Sequence, residues 1–456
     1  MKKKTFFSGL VLTSIGLVIL GTAVANGLQQ RAASPKFSKL KTTAVKADTQ
    51  QKKANKKAKR QLPPAAPIPA FAKKGIDWLV EAQHTSGGWG AGSHANQRNL
   101  DPSKVKLDPA TTAFSAMALL RAGHTPTTGT YRDALRKAAT FLIETVERYE
   151  KPGPRITDIT GTQPQAKLGP LVDTTMTTQF LARLLPLLPK KDALRERTDT
   201  ALDKCLKKLQ MSQQQNGSWV AGGWAPVLQS SLGCTALELA QAAGKNIDLK
   251  KLDRARKYQQ GNFNNKTGKA DAAAGAGVEL YAFSGAQRAS AGQARAARDL
   301  VREAKRRGDL KPEDTVSEEN LRKIGVSSDK AKNLANADEA AKAQAKRLND
   351  ETLLRGFGNN GGEEFLSYLM TSEALIITGG DSWKQWNSKM NSRLAKIQNP
   401  NGSWNGHHCI SSPVFCTAAV LQCITTDRDA AILIQVADKA ADRQDTKDAA
   451  KVSSKR

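Results

Sequence analysis

The chain has 456 residues, a formal net charge of +28, 39% hydrophobic residues and only 5% aromatics. That length implies several domains or one repeat-built domain, and so few aromatics disfavour a β-sandwich. Its five cysteines, Cys205, Cys234, Cys409, Cys416 and Cys423, are too scattered for a disulfide-built scaffold, and their apolar surroundings suit small buried hydrophobes.

Residues 1–25 begin with Lys2, Lys3 and Lys4 and then carry no charge, ending on the small-residue run Ala23-Val24-Ala25. This is the pattern of a cleaved export signal. The apolar run 6–25 is also long enough to span a bilayer, so an uncleaved transmembrane anchor is the alternative. Arg31, Lys36, Lys39, Lys41 and Lys46 outnumber the three lysines before the run, which leaves its orientation open. Residues 26–69 are a basic, Pro-rich linker, with 11 Lys or Arg against the single acid Asp48 between positions 31 and 60. Its composition is that of a disordered tether that can lie against anionic lipid or an acidic wall polymer. No basic patch interleaved with aromatics is present, so nucleic acid is not an expected partner. The expected location is the membrane or, after export, the cell envelope or periplasm.

From residue 70 to 445 one pattern recurs: a helical stretch ending in Gln, a Gly-, Asn- or Ser-rich turn, a Trp, a loop, and a helix of small residues. The first copy runs from Lys74 to Gln83, through Gly87-Gly88-Trp89, into a helix after Asp108. The second has Leu206, Leu209 and Gln210, then Asn216-Gly217-Ser218-Trp219, then a helix around Ser230 to Leu237. The third has Leu394, Ile397 and Gln398, then Asn401-Gly402-Ser403-Trp404, then Cys416 to Leu421. Weaker copies start at Asp173, at Gly261-Asn262-Phe263 and at Gly356-Phe357-Gly358, making six units. Charged stripes at helical spacing predict outer helices over 70–83, 131–150, 193–211, 248–260, part of 293–352, and 381–398. Nearly uncharged runs predict buried inner helices over 109–122, 173–187, 228–243, 272–284, 361–378 and 411–424. Six antiparallel hairpins that can bury their apolar faces only against one another predict an all-α fold, an α/α toroid of two concentric rings. Residues 288–350, with 15 Lys or Arg against 11 acids, read as a helical insertion on one rim, either a lid or a partner surface. A helix near 427–443 and a charged tail, 446–456, complete the chain.

The runs ending at Trp89, Trp219 and Trp404 resemble the Gln-Trp repeat of the prenyltransferase and squalene oxidase repeat family, over about residues 70–445. The resemblance implies the toroid of squalene cyclases, terpenoid cyclases and protein prenyltransferases. It implies that Gln and Trp pack together in each turn and tie the outer helix to the next inner one, so the three tryptophans are structural. The chain departs from the family where chemistry is concerned. It lacks the Asp-x-Asp-Asp acid of the cyclases and an Asp-Asp-x-x-Asp for magnesium, and it has no Asp-x-Cys at the place equivalent to that of the zinc prenyltransferases.

Six inner-helix N-termini converging at one mouth would favour an anionic head group, above an apolar interior suited to a lipid tail. Asp108, Asp173, Ser231 and Asp271 are candidate caps for those helices. His407, His408 and Cys409, with Glu363 opening the preceding inner helix, make a zinc-like set, in which Glu364 and Cys416 are neighbours. Histidines bonded to turn carbonyls, or a Cys409–Cys416 disulfide, are the alternatives. His84, His94 and His124 are isolated, and nothing singles out Asp108, Asp173 and Glu363 as a hydrolytic carboxylate pair. The expected function is an envelope-located toroid binding a hydrophobic or lipid-like ligand or a protein partner, without a recognisable catalytic motif. The alternative is a metal-dependent transferase of prenyl or lipid-linked substrates, with zinc at the His407-His408-Cys409 mouth.

Overall fold

The computed structural model describes residues 65–219, 222–358 and 360–439. Residues 1–25, nearly all of the linker and the tail 446–456 lie outside them. Among the described residues no helix is long and apolar enough to cross a membrane.

The helices in chain order are α1 (Ala70–Glu81), α2 (Pro109–Arg121), α3 (Arg132–Arg148), α4 (Gln163–Lys167), α5 (Val172–Leu184), α6 (Ala193–Met211), α7 (Pro226–Ala242) and α8 (Leu249–Gly261). They continue with α9 (Glu279–Arg307), α10 (Glu318–Lys323), α11 (Ser328–Lys346), α12 (Glu351–Arg355), α13 (Gly362–Thr378), α14 (Ser382–Lys396) and α15 (Pro413–Ile424). Residues 430–439 are also helical. The described strands are one short antiparallel pair, β1 (Phe263–Asn264) and β2 (Lys269–Ala270). The chain is thus all-α in its main features.

Two kinds of helix alternate. Every residue of α2, α5 and α15 is buried, as their nearly uncharged Ala-, Thr- and Leu-rich sequences require. Pro109, Pro226 and Pro413 open α2, α7 and α15, where a missing N–H costs nothing. By contrast α3 buries only one face, Ala134, Leu135, Ala138, Ala139, Leu142, Ile143 and Val146, at helical spacing. The buried helices pack in sequence order: α2 on α5, α5 on α7, α7 on α9, α9 on α13, α13 on α15, and α15 back on α2. The amphipathic helices pack behind them, α3 on α2, α6 on α5, α8 on α7, α11 on α9, α14 on α13 and α1 on α15.

The three tryptophan turns are copies of one another. Trp89, Trp219 and Trp404 are buried, and each indole N–H donates to the carbonyl ten residues back, of Leu79, Leu209 and Leu394, at 2.8 Å. Each Trp backbone N–H donates to a hydroxyl of the following buried helix, Thr112, Ser230 or Thr417, at 2.9 Å. Gly87, Gly217 and Gly402 hold φ of 93°, 94° and 97°, a conformation that costs glycine nothing. Six residues before each Trp, the amide nitrogens of Gln83, Gln213 and Gln398 bridge that glycine's carbonyl to the start of another amphipathic helix, at Ala134, Lys251 and Phe71. The second repeat's glutamine is therefore Gln213, one helical turn past Gln210, which instead accepts from Asp248 N–H. The tie runs from turn to amphipathic helix through Gln, and from turn to buried helix through the Trp N–H.

The weaker copies differ. Phe263 is half-buried in β1, 5.9 Å from Phe283, and Phe357 is 58% exposed, so it does not fill a tryptophan's place. Residues 272–277 form turns, and α9 begins at Glu279. It then continues through the predicted insertion to Gly308, whose φ of 81° caps it. Helix α9 spans both regions because its buried stripe is unbroken, from Ala286 and Ala289 through Ala294 and Ala297 to Val301 and Ala304. Beyond the main core, Ala297, Val301, Ala304, Leu310, Leu321, Ala331 and Leu334 form a second small cluster among α9, α10 and α11.

Candidate functional site

The mouth is built on the first turn of α13. Glu363 and Glu364 are fully buried there, beneath the loop carrying His407, His408 and Cys409. Glycine permits this approach: a Cβ on Gly362 would stand 2.8 Å from Ile410, and one on Gly361 would stand 2.6 Å from Glu364 Oε2. Gly362 N–H then donates to Ile410 O at 3.0 Å, and His407 N–H to Asn360 O at 2.7 Å. Glu364 Oε1 accepts from Tyr281 Oη at 2.6 Å and from Phe357 N–H at 2.9 Å. Glu363 Oε2 accepts from Ile410 N–H at 3.2 Å.

Burial, reinforced by Glu364, pushes the Glu363 carboxyl up to about 8, so it is mainly protonated at neutral pH. Burial, then Glu363, pushes the Cys409 thiol up to about 12, and the same two causes raise Cys416 well above its ordinary value. Helix N-termini favour thiolates. Desolvation wins, because the adjacent acids add to it. All five cysteines are free, so Cys409 and Cys416 form no disulfide. Cys416 Sγ instead lies 3.4 Å from Ile410 O.

The zinc-like set does not converge. His407 is exposed, His408 Nε2 is 3.8 Å from Glu364 Oε2, and Cys409 faces Glu363. The left-handed backbone at Cys409, φ 57°, splays successive side chains apart. Among the described residues no group of three or more His, Cys, Asp or Glu is arranged to hold a metal ion. What the mouth does assemble is an aromatic wall. Trp224 meets Tyr281 at 6.0 Å and Phe357 at 5.4 Å, Phe357 meets His408 at 5.1 Å, and Lys167 Nζ lies 5.4 Å over Trp224.

The candidate caps divide. Asp108 caps α2 through Thr111 N–H at 2.7 Å and also accepts from Ala91 N–H. Asp173 supports the same helix from a neighbour, accepting from Ala110 N–H at 3.0 Å and from Gln165 Nε2 at 2.6 Å. Burial and then Asp108 push Asp173 up to about 7. With every oxygen of this pair already accepting, it serves the backbone. Ser231 sits inside α7 and donates to Val227 O, and Asp271 accepts from Ala273 N–H in the turn before α9. Asp108 is thus the one of the four that caps its own helix.

Towards the C-terminal ends of the buried helices lies a feature that the sequence reading missed. Arg183 pairs with Asp429 at 2.5 Å, Asp429 with Arg121, Arg121 with Glu373 at 2.6 Å, and Glu373 with Arg288 at 2.9 Å. Arg288 then pairs with Glu238 at 3.0 Å, and Glu238 with Arg256 at 2.8 Å. Burial raises Asp429, but Arg183 and Arg121 outweigh it and hold the carboxyl down at about 2. A cavity of about 20 Å³ adjoins this chain, lined by Arg121, Arg183, Glu373 and apolar residues such as Phe114, Met117 and Leu369. The available signal was a charge towards the C-terminal end of each nearly uncharged run: Arg121, Arg183, Glu238 and Glu373. No protein-family model matches the chain, and no curated protein is significantly similar to it.

Proposed function

We propose that this chain is an α/α toroid of two concentric helical rings, like the squalene cyclases and protein prenyltransferases, and that it works at the cell envelope as a binding module. The cycle of packing from α2 round to α15 and back supports the fold, as does the last tryptophan turn, whose Gln398 bonds to Phe71 of α1. Residues 1–25 and the basic linker 26–69 attach the body to the membrane or export it.

The observation that carries the binding reading is Phe357. A large apolar side chain that is 58% exposed, edge-on to Trp224 and His408 and beside two buried glutamates, is a surface that gains from being covered. The occupant is a hydrophobic or lipid-like ligand, or an apolar side chain of a protein partner. It seats at the mouth, since the cavity at the far ends of the helices, about 20 Å³, is too small for a ligand of that size. No cyclase chemistry is assigned, because the acid motif that would start it is missing.

Native mass spectrometry of the full chain, extracted from its own membranes in mild detergent, tests this. A bound mass retained by the wild-type protein and lost in Phe357→Ser at unchanged melting temperature supports the reading. A wild-type protein that carries no bound mass and no stoichiometric partner overturns it.

A further inference from the structure

The buried ion pairs form one alternating chain: Arg183, Asp429, Arg121, Glu373, Arg288, Glu238, Arg256. Both ends are arginines, so four cations face three anions. The two ends differ in surroundings. Arg256 is 12% exposed at its side chain and can be solvated, whereas Arg183 is 5% exposed. Arg183 directs both terminal nitrogens at Asp429, while its buried Nε donates to no protein group among the described residues. The same side chain lines the 20 Å³ cavity beside Arg121. A buried, unmatched positive charge beside a cavity, with one nitrogen unpartnered, is costly unless an anion answers it.

We propose that this cavity is a binding site for a small monoatomic anion, chloride, which completes the chain as its fourth negative member. Size and surroundings set the class. The cavity is small, which favours a compact monoatomic anion over phosphate, sulfate and carboxylate ligands. Phe114, Met117, Leu232 and Leu369 make most of the wall apolar, which suits a weakly hydrated halide, while Gln179, Thr235 and Gln422 add polar groups and the lining carboxylate, Glu373, is held by Arg121 and Arg288. The site lies at the opposite ends of the helices from the mouth and is independent of what binds there.

The test uses the full chain in sodium chloride or sodium gluconate at matched ionic strength. The melting temperature is expected to be about 2 °C higher in chloride, with a saturable dose dependence that bromide reproduces. Arg183→Gln leaves three cations facing three anions and is expected to lose the chloride effect. Thr235→Leu adds bulk to the cavity wall, keeps all seven charges, and is expected to lose it too. Equal melting temperatures of the wild type in the two salts overturn the proposal. So does a chloride effect that persists in either folded variant, because the anion then binds elsewhere.

Discussion

At Gln213 a single amide nitrogen donates to Gly217 O and Lys251 O and so holds a turn against the next amphipathic helix. Gln213→Ala is expected to cost about 1–3 kcal/mol in urea unfolding, since it orphans half-buried carbonyls, with Gln210→Ala costing less. The sequence made the tryptophans plain, because their side chains and turn glycines recur at a fixed spacing. It did not distinguish Gln210, in the last turn of α6, from Gln213, just past its end at Met211, and only the hydrogen-bond partners separate them. Glu363 gives a second residue-level expectation. Its folded carboxyl is raised to about 8, so its contribution is complete below the unfolded value near 4.5 and is lost as pH rises towards 8. Asp173, raised to about 7, acts with the same sign. Wild-type stability should therefore fall between pH 5 and 8 by an amount on the order of a few kcal/mol. Glu363→Gln, a neutral mimic, should flatten part of that slope in pH-dependent melts.

Among the elements, boundaries were legible wherever a cap and an amphipathic pattern agreed. The stretch predicted as 193–211 is α6, which starts after Asp192 accepts from Leu194 N–H. The stretch predicted as 109–122 is α2, after its Asp108 cap. The start of α9 was not legible. Ala272, Ala273 and Ala274 look helical, but Ala276 and Gly277 adopt φ of 55° and 87° and stop a helix there. The far end of α9 belongs to the small cluster around Leu321, which touches little of the main core. Leu321→Ala removes a fully buried side chain from that cluster, at a cost of about 2–5 kcal/mol. Hydrogen exchange should then quicken in α10, α11 and the second half of α9, while α2 and α15 keep their protection.

Across the whole molecule, the part of the candidate site that sequence reading could not assemble is the ion-pair chain, because its members meet only after the helices have packed. Arg121 and Asp429 are 308 positions apart, and Arg183 and Asp429 are 246 apart. No local pattern encodes such a pairing. Asp429 is the carboxylate shared by two buried guanidiniums, so Asp429→Asn should cost about 3–5 kcal/mol in urea unfolding, more than a surface acid removed elsewhere. The zinc-like set failed at this scale for the opposite reason. His407, His408 and Cys409 are neighbours in sequence, but the backbone at Cys409 takes the left-handed conformation and the three side chains meet different surroundings. The bond from Gln398 to Phe71 spans 327 positions, and Ala66 N–H donates to Asp427 Oδ2 across 361. Helix α1, which carries Phe71, must therefore wait for nearly the last described segment before that contact can close, which makes folding a late and slow event. In the proposed toroid, a chain threaded across a membrane as it is made would reach the far side open, and a nascent fragment cut short by even one hairpin would carry two unsatisfied edges for quality control to find.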